Sequence, residues 1–308
     1  MDSFLHNLDW VLPFRNDFLT VVFKTLTLFG EANLILMVLG ICFWCGNRHL
    51  ATRLAIIVLV TGLLNWFLKD LWQDPRPDVK YSLNLTAKPS FGAPSGHTQF
   101  AAVMWFWLAH EIGKRWAWIT AGLLVMGVGL SRLYLGRHDV EDVLVGLALA
   151  AVTGLLYRWT LTPRFDRWRA LPAVLQIGLT ALGLALIYYF WPVAVIEETI
   201  LALGGFLIGW LAGVAWLNRR HQEFHRISAG RTVGAALVGV TVLWVVMTGL
   251  RPLLVALQIP RTPALLTGGL VVGAVVTGLV PRLLALADLM RQTAAPPPQA
   301  CKRHAQTR

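Results

Sequence analysis

Long apolar runs, broken at short intervals by Gly, Pro, Arg and Trp, constrain this chain more than any other feature. Inside a bilayer every backbone polar group must be satisfied within its own segment, and crossing the hydrocarbon takes about 20 apolar residues in a helix. Runs that meet or approach this length occupy 31–46, 51–72, 97–112, 116–134, 140–160, 171–191, 197–217, 232–250 and 264–287. Residues 8–29 form a further, weaker candidate, interrupted by Arg15, Asp17 and Lys24, that either spans or lies in the interface as an amphipathic helix. With 56% hydrophobic and only 14% charged residues, the chain reads as all-α, a polytopic membrane helical bundle, and not as a soluble domain.

The net charge of +11 would suggest nucleic acid if its placement were ignored. The basic residues alternate from loop to loop. One side receives Arg48, Arg53, Lys114, Arg115, Arg158, Arg164, Arg167, Arg169, Arg219, Arg220, Arg226 and Arg231, to which Arg282, Arg291, Lys302, Arg303 and Arg308 add; the other receives Lys69, Arg76, Lys80, Lys88, Arg132, Arg137, Arg251 and Arg261. The richer side is expected to be cytoplasmic. Orientation accounts for the charge, and no nucleic-acid partner is expected. No cleavable signal is expected at the N-terminus, which lacks a basic region before its first apolar residues. Cys42 and Cys45 lie within an apolar run and read as small buried residues. The H-x-E-x-H stretch at 221–225 lacks the H-E-x-x-H zinc spacing, so no metal site is expected there. The Pro-rich polar tail, 291–308, is expected to be disordered.

Ionisable residues at span ends need a use. Three segments carry them to the same predicted side: KDLWQDPRPD at 69–78, APSGH at 93–97 and SRLYLGRHDVED at 131–142. Pro75 and Pro77 stop the helix between Lys69 and Arg76, leaving the lysine on a helix end and the arginine on a stiff loop. An arginine fork and a lysine point charge both suit phosphate oxygens. Ser95 is a natural N-cap, Gly96 permits close backbone approach, and the helix that follows favours an anion at its mouth, where His97 also stands. His138 and Asp142 are four apart at a helix start, so a carboxylate can orient the imidazole, and Arg132 adds a second fork.

In order, Lys69…Arg76-Pro77, Pro94-Ser95-Gly96-His97 and Ser131-Arg132…His138…Asp142 resemble the signature of the type-2 phosphatidic acid phosphatase superfamily, over roughly residues 20–160. The resemblance implies a six-helix phosphatase core. It also implies that His138 is the nucleophile that takes the phosphoryl group, that Asp142 holds it, and that His97 is the general acid. Lys69, Arg76, Ser95, Gly96 and Arg132 would bind the phosphate oxygens. Side-chain cations would take the usual place of a metal, so no cofactor is implied. The division expected is a core at 1–165, a transmembrane annex of about four helices at 166–290, and the tail at 291–308. In the annex, Gly205, Gly209 and Gly213, and Gly269 and Gly273, recur every four residues, which suits close helix packing, a lipid-access wall or a homodimer surface.

The function implied is hydrolysis of a lipid phosphate or diphosphate, of the isoprenyl diphosphate or the phosphatidate/phosphatidylglycerophosphate class, through a phosphohistidine. Membrane lipids are the surroundings, and a bacterial inner membrane or its equivalent, with the site on the periplasmic or lumenal face, is the expected location. Lys80, Lys88 and Arg137 add cations near the site, which leans toward a diphosphate. A phosphotransferase that passes the phosphoryl group to another lipid would use every one of these residues. A transporter would place ionisable groups at mid-membrane, and here nearly all lie at span ends.

Overall fold

Each apolar run closes its backbone hydrogen bonds internally and ends where the sequence supplies a stop. A computed structural model describes residues 5–83, 90–192, 198–219, 222–225 and 229–294. In chain order the helices are α1 (Asp17–Thr27), α2 (Ala32–Cys45), α3 (Arg48–Trp72), α4 (Gly96–Ile112), α5 (Arg115–Tyr134) and α6 (Val140–Thr160). They continue as α7 (Pro163–Ala170), α8 (Ala173–Tyr189), α9 (Glu198–Arg219), α10 (Ala229–Ala256), α11 (Arg261–Ala274) and α12 (Val280–Leu286). Asn47 caps α3 by accepting from the His49 and Leu50 amides. Gln73, left-handed at φ 51°, ends it ahead of the two prolines. Lys88, His221 and residues 295–308 lie outside the described residues.

Among the described residues, six helices are long and apolar enough to cross a membrane: α3, α5, α6, α9, α10 and the α11–α12 run. The protein is an integral membrane protein built as a polytopic helical bundle.

Residues 8–29 do not form a span of their own. They fold as a short 3-10 helix, Asp9–Phe14, followed by α1. Eleven residues of helix cover only about 16 Å, roughly half the hydrocarbon. Instead α1 runs down the end of α5, with the Asn16 amide on the Tyr134 hydroxyl and Leu26 against Gly127. The chain then bends by 53° into α2, so the two predicted segments join as one bent pair of helices. Glu31 is extended at the bend, and Gly30 beside it lets the chain pass close to α4, since a Cβ there would lie 2.5 Å from the His97 carbonyl oxygen.

Helices α9 to α12 pack on the side of α2 and α3. Trp44 Nε1 donates to the Val276 carbonyl at 2.7 Å, within a single π turn (Val275–Leu279) between α11 and α12. Trp210 Nε1 donates to Thr52 Oγ1, and Trp191 Nε1 to Asp70 Oδ2. The glycine stripe is used inside the chain: Cβ atoms built at Gly205 and Gly209 would meet the Leu266 and Leu270 carbonyl oxygens at 2.1 and 2.0 Å. Helices α9 and α11 therefore touch backbone to backbone. Residues Arg291–Ala294, expected to lack structure, pair as an antiparallel strand with Gln222–His225.

Candidate active site

Lys69 lies one turn before the end of α3 and is 3% exposed. A buried ammonium needs acceptors, and Nζ donates to the Phe91 and Gly92 carbonyls at 2.7 and 2.6 Å. Beyond the helix Arg76 ties two loops together. Its Nε donates to the Ser90 carbonyl and one terminal nitrogen to Ser90 Oγ, while the other reaches the Arg137 carbonyl at 2.9 Å. Asp74 accepts from the Gly92 amide at its carbonyl and from the Ala93 amide at its carboxylate, and so shapes the stretch of backbone that receives Lys69. The loop before α4 is thus pinned from α3.

Ser95 holds the N-cap position of α4, but its side chain makes no capping bond. It is fully buried, its hydroxyl paired with Thr98 Oγ1 at 3.0 Å and its amide donating to the Asp142 carbonyl at 2.9 Å. The Ser95 side chain is thus turned toward Thr98 and is not among the described residues that line the cavity. Its amide instead joins the start of α4 to the start of α6. Gly96 and His97 do line the cavity. Behind them Asn65 Nδ2 donates to the Pro94 carbonyl and to Gln99 Oε1, bracing α3 against α4.

The turn between α5 and α6 carries the second histidine. Gly136 sits at φ 62°, where a Cβ would overlap the Tyr81 carbonyl, so the turn closes tightly on that loop. His138 is 2% exposed, and its Nδ1 lies 2.9 Å from Asp142 Oδ2. Asp139 caps α6 reciprocally: its Oδ1 accepts from the Asp142 amide at 2.9 Å, and its own amide donates to Asp142 Oδ2 at 3.3 Å. Arg132 donates to Thr27 Oγ1 at 2.9 Å, while its buried Nε has no partner among the described residues.

These groups surround a cavity of about 630 Å³. Lys69, Arg76, Gly96, His97, Arg132 and His138 line it, and Asp142 stands behind His138. Burial, reinforced by the charges of Lys69, Arg132 and Arg76, holds the His138 imidazole well below the usual histidine range, so it is neutral with a lone pair available. Burial and the neighbouring Arg137 lower Arg76 to about 10, which leaves it charged at neutral pH. Arg137 also lines the cavity, as do Lys24 from α1 and Glu31 from the bend that follows it. Lys24 figures in the sequence only as an interruption, and Glu31 not at all. Asn65 and Gln99 carried a readable signal, being amides inside apolar runs.

Fold and site together define a membrane-embedded helical protein with a cation-lined cavity and a carboxylate-held histidine. The PAP2 superfamily model matches residues 50–166, which contain all of these groups outside α1 and the bend. Phosphatidylglycerophosphatase B of Bacillus subtilis is 30% identical over 157 residues, covering 47% of this chain and 76% of that one. Sphingosine-1-phosphate phosphatase 2 of Homo sapiens is 30% identical over 225 residues, covering 68% of this chain and 54% of that one. Lipid phosphate phosphatase delta of Arabidopsis thaliana is 25% identical over 238 residues, covering 70% and 56%. The chain spans about half the length of several curated relatives that it matches. It belongs to the PAP2 superfamily.

Proposed function

We propose that the protein is a phosphatase that hydrolyses a lipid phosphate or diphosphate through a phosphohistidine at His138. The observation that carries this reading is the 2.9 Å pairing of His138 Nδ1 with Asp142, in a residue that lines a cationic cavity. Nδ1 is engaged, so Nε2 is the nitrogen left for attack. Its lone pair forms the N–P bond as the P–O bond to the lipid breaks. The leaving oxygen takes a proton from His97. Water then attacks the phosphorus, returns a proton to His97 and releases phosphate with His138 restored. Lys69, Arg76 and Arg132 offset the charge on the equatorial oxygens, which is most of what phosphoryl transfer requires. Ser95 enters only as a backbone link in this scheme.

The names of the relatives support a lipid substrate, and the site at one end of the spans suits a phosphate head at the interface with its tail in the bilayer. Lys24 and Arg137 enlarge the cationic lining toward a diphosphate. The charge distribution of the loops supports a site on the periplasmic or lumenal side. Phosphate release from phosphatidate, phosphatidylglycerophosphate, sphingosine 1-phosphate and an isoprenyl diphosphate, measured in EDTA, tests the reading. Release that persists in EDTA and disappears in His138→Ala is the expected result. Dependence on a divalent metal, or full activity in that variant, would refute it, and phosphate found only on an acceptor lipid would replace hydrolysis with transfer.

A further inference from the structure

The reaction scheme leaves a hydrogen-bonded chain behind the nucleophile unused. Asp142 Oδ2 accepts from His138 Nδ1 and also from the Asp139 amide, so any rotation of that carboxylate moves the imidazole. The Asp139 carboxylate is divided. Oδ1 holds the Asp142 amide, and Oδ2 lies 2.8 Å from His6 Nδ1. The other ring nitrogen of His6 reaches Glu141 at 3.1 Å, and the Leu5 carbonyl accepts from the Val140 amide. The N-terminal segment is itself anchored: Leu8 and Val11 are buried against Tyr81, Leu133, Tyr134 and Leu135. Arg15 donates to the Tyr81 and Tyr134 carbonyls, and Tyr81 donates its hydroxyl to Asp9.

We propose that Asp139 and His6 are positioning residues for the phosphoryl transfer. Asp139 sets the orientation of Asp142, and His6 holds Asp139 from the N-terminal segment. Asp139 and Asp142 are adjacent carboxylates, each 5% exposed or less, whose mutual repulsion would rotate one away. The reciprocal cap and the His6 contact oppose that rotation. A histidine free to swing by an ångström loses in-line alignment, which costs rate without costing binding. The inference rests on His138 being the phosphoryl acceptor.

The test uses the full chain in detergent with dioctanoyl phosphatidate and farnesyl diphosphate as substrates, and Asp139→Ala, Asp139→Asn, His6→Ala and His138→Ala as variants. Asp139→Ala should lower kcat by about tenfold to a hundredfold with KM within about twofold. Asp139→Asn keeps an oxygen for the Asp142 amide and should recover most of that loss, while His6→Ala, a half-exposed position, should lose about threefold. The His138 Nδ1 proton resonance reports the bond to Asp142 without any substrate; it should shift or broaden in Asp139→Ala and return in Asp139→Asn. Wild-type kcat in Asp139→Ala beside an inactive His138→Ala would overturn the inference and leave the proposed function standing. Activity in His138→Ala would overturn the proposed function, and an unmoved Nδ1 resonance in Asp139→Ala would overturn the positioning chain by itself.

Discussion

Replacing Asp142 by Asn separates what this carboxylate does by shape from what it does by charge. Asn fills the same volume and keeps an oxygen 2.9 Å from His138 Nδ1, so the imidazole stays oriented. It removes the negative charge facing a ring that, in the proposed mechanism, becomes cationic as it takes the phosphoryl group. With charges about 4 Å apart and an effective dielectric near 20, that attraction is about 4 kcal/mol. Each 1.36 kcal/mol is a factor of ten, so kcat should fall by about a thousandfold. KM should stay within a few-fold, because Lys69, Arg76 and Arg132 are untouched. Initial-rate phosphate release in micelles gives both constants, and rapid-quench measurement of the phosphoenzyme shows whether its formation is the slowed step. A loss of less than about tenfold, or one carried entirely by KM, would mean that His138 gains no charge in the transition state, and the nucleophile assignment would fail with it.

Lys69→Met removes two charge-assisted bonds to the loop before α4, each worth about 1.5–3 kcal/mol. A fall in kcat/KM of about a hundredfold or more is expected, together with weaker inhibition by inorganic phosphate, and an unchanged inhibition constant would contradict it. His138 is held neutral when folded, so below pH about 6.5 the unfolded chain takes up a proton that the native state refuses, and stability falls as pH drops. A His138→Gln variant should therefore lose less Tm than wild type between pH 7 and 5; an identical slope would argue against a depressed histidine. His6 works in the opposite sense. Its pKa is raised by the Asp139 hydrogen bond, so its contribution is present below about 6.5 and lost at alkaline pH. His6→Ala should thus lower Tm more at pH 5.5 than at pH 8.5. Gly209→Val drives a methyl-bearing carbon into the Leu270 carbonyl and should cost about 1–3 kcal/mol or more in stability. The specific activity of its folded fraction should hold within twofold, since none of the described residues that line the cavity comes from α7–α12.

The apolar runs determined the helical class, the approximate span ends and the common end at which Lys69, His97 and His138 emerge, because those depend on local properties: backbone satisfaction in lipid and the stop that Pro75 and Pro77 place after Lys69. The ordered spacing of Lys69, Arg76, Gly96, His97, Arg132, His138 and Asp142 was likewise readable, and all but Asp142 line one cavity. Tertiary structure decided what depends on partners distant in sequence. Residues 8–29 and 31–46 look like two hydrophobic segments, yet they join through a 53° bend that packs at Gly30 against His97 and brings Lys24 and Glu31 to the site. Ser95 looks like a free hydroxyl at a helix mouth, yet Thr98 and the close approach of α6 at Gly146 turn it inward. The glycine stripe of α9 could face another molecule as readily as another helix, and α11 settles that it is used within the chain. His6 and Asp139 are 133 positions apart, and nothing in local pattern can join them; only the packing of Leu8 and Val11 over the α5–α6 turn brings the imidazole to the carboxylate.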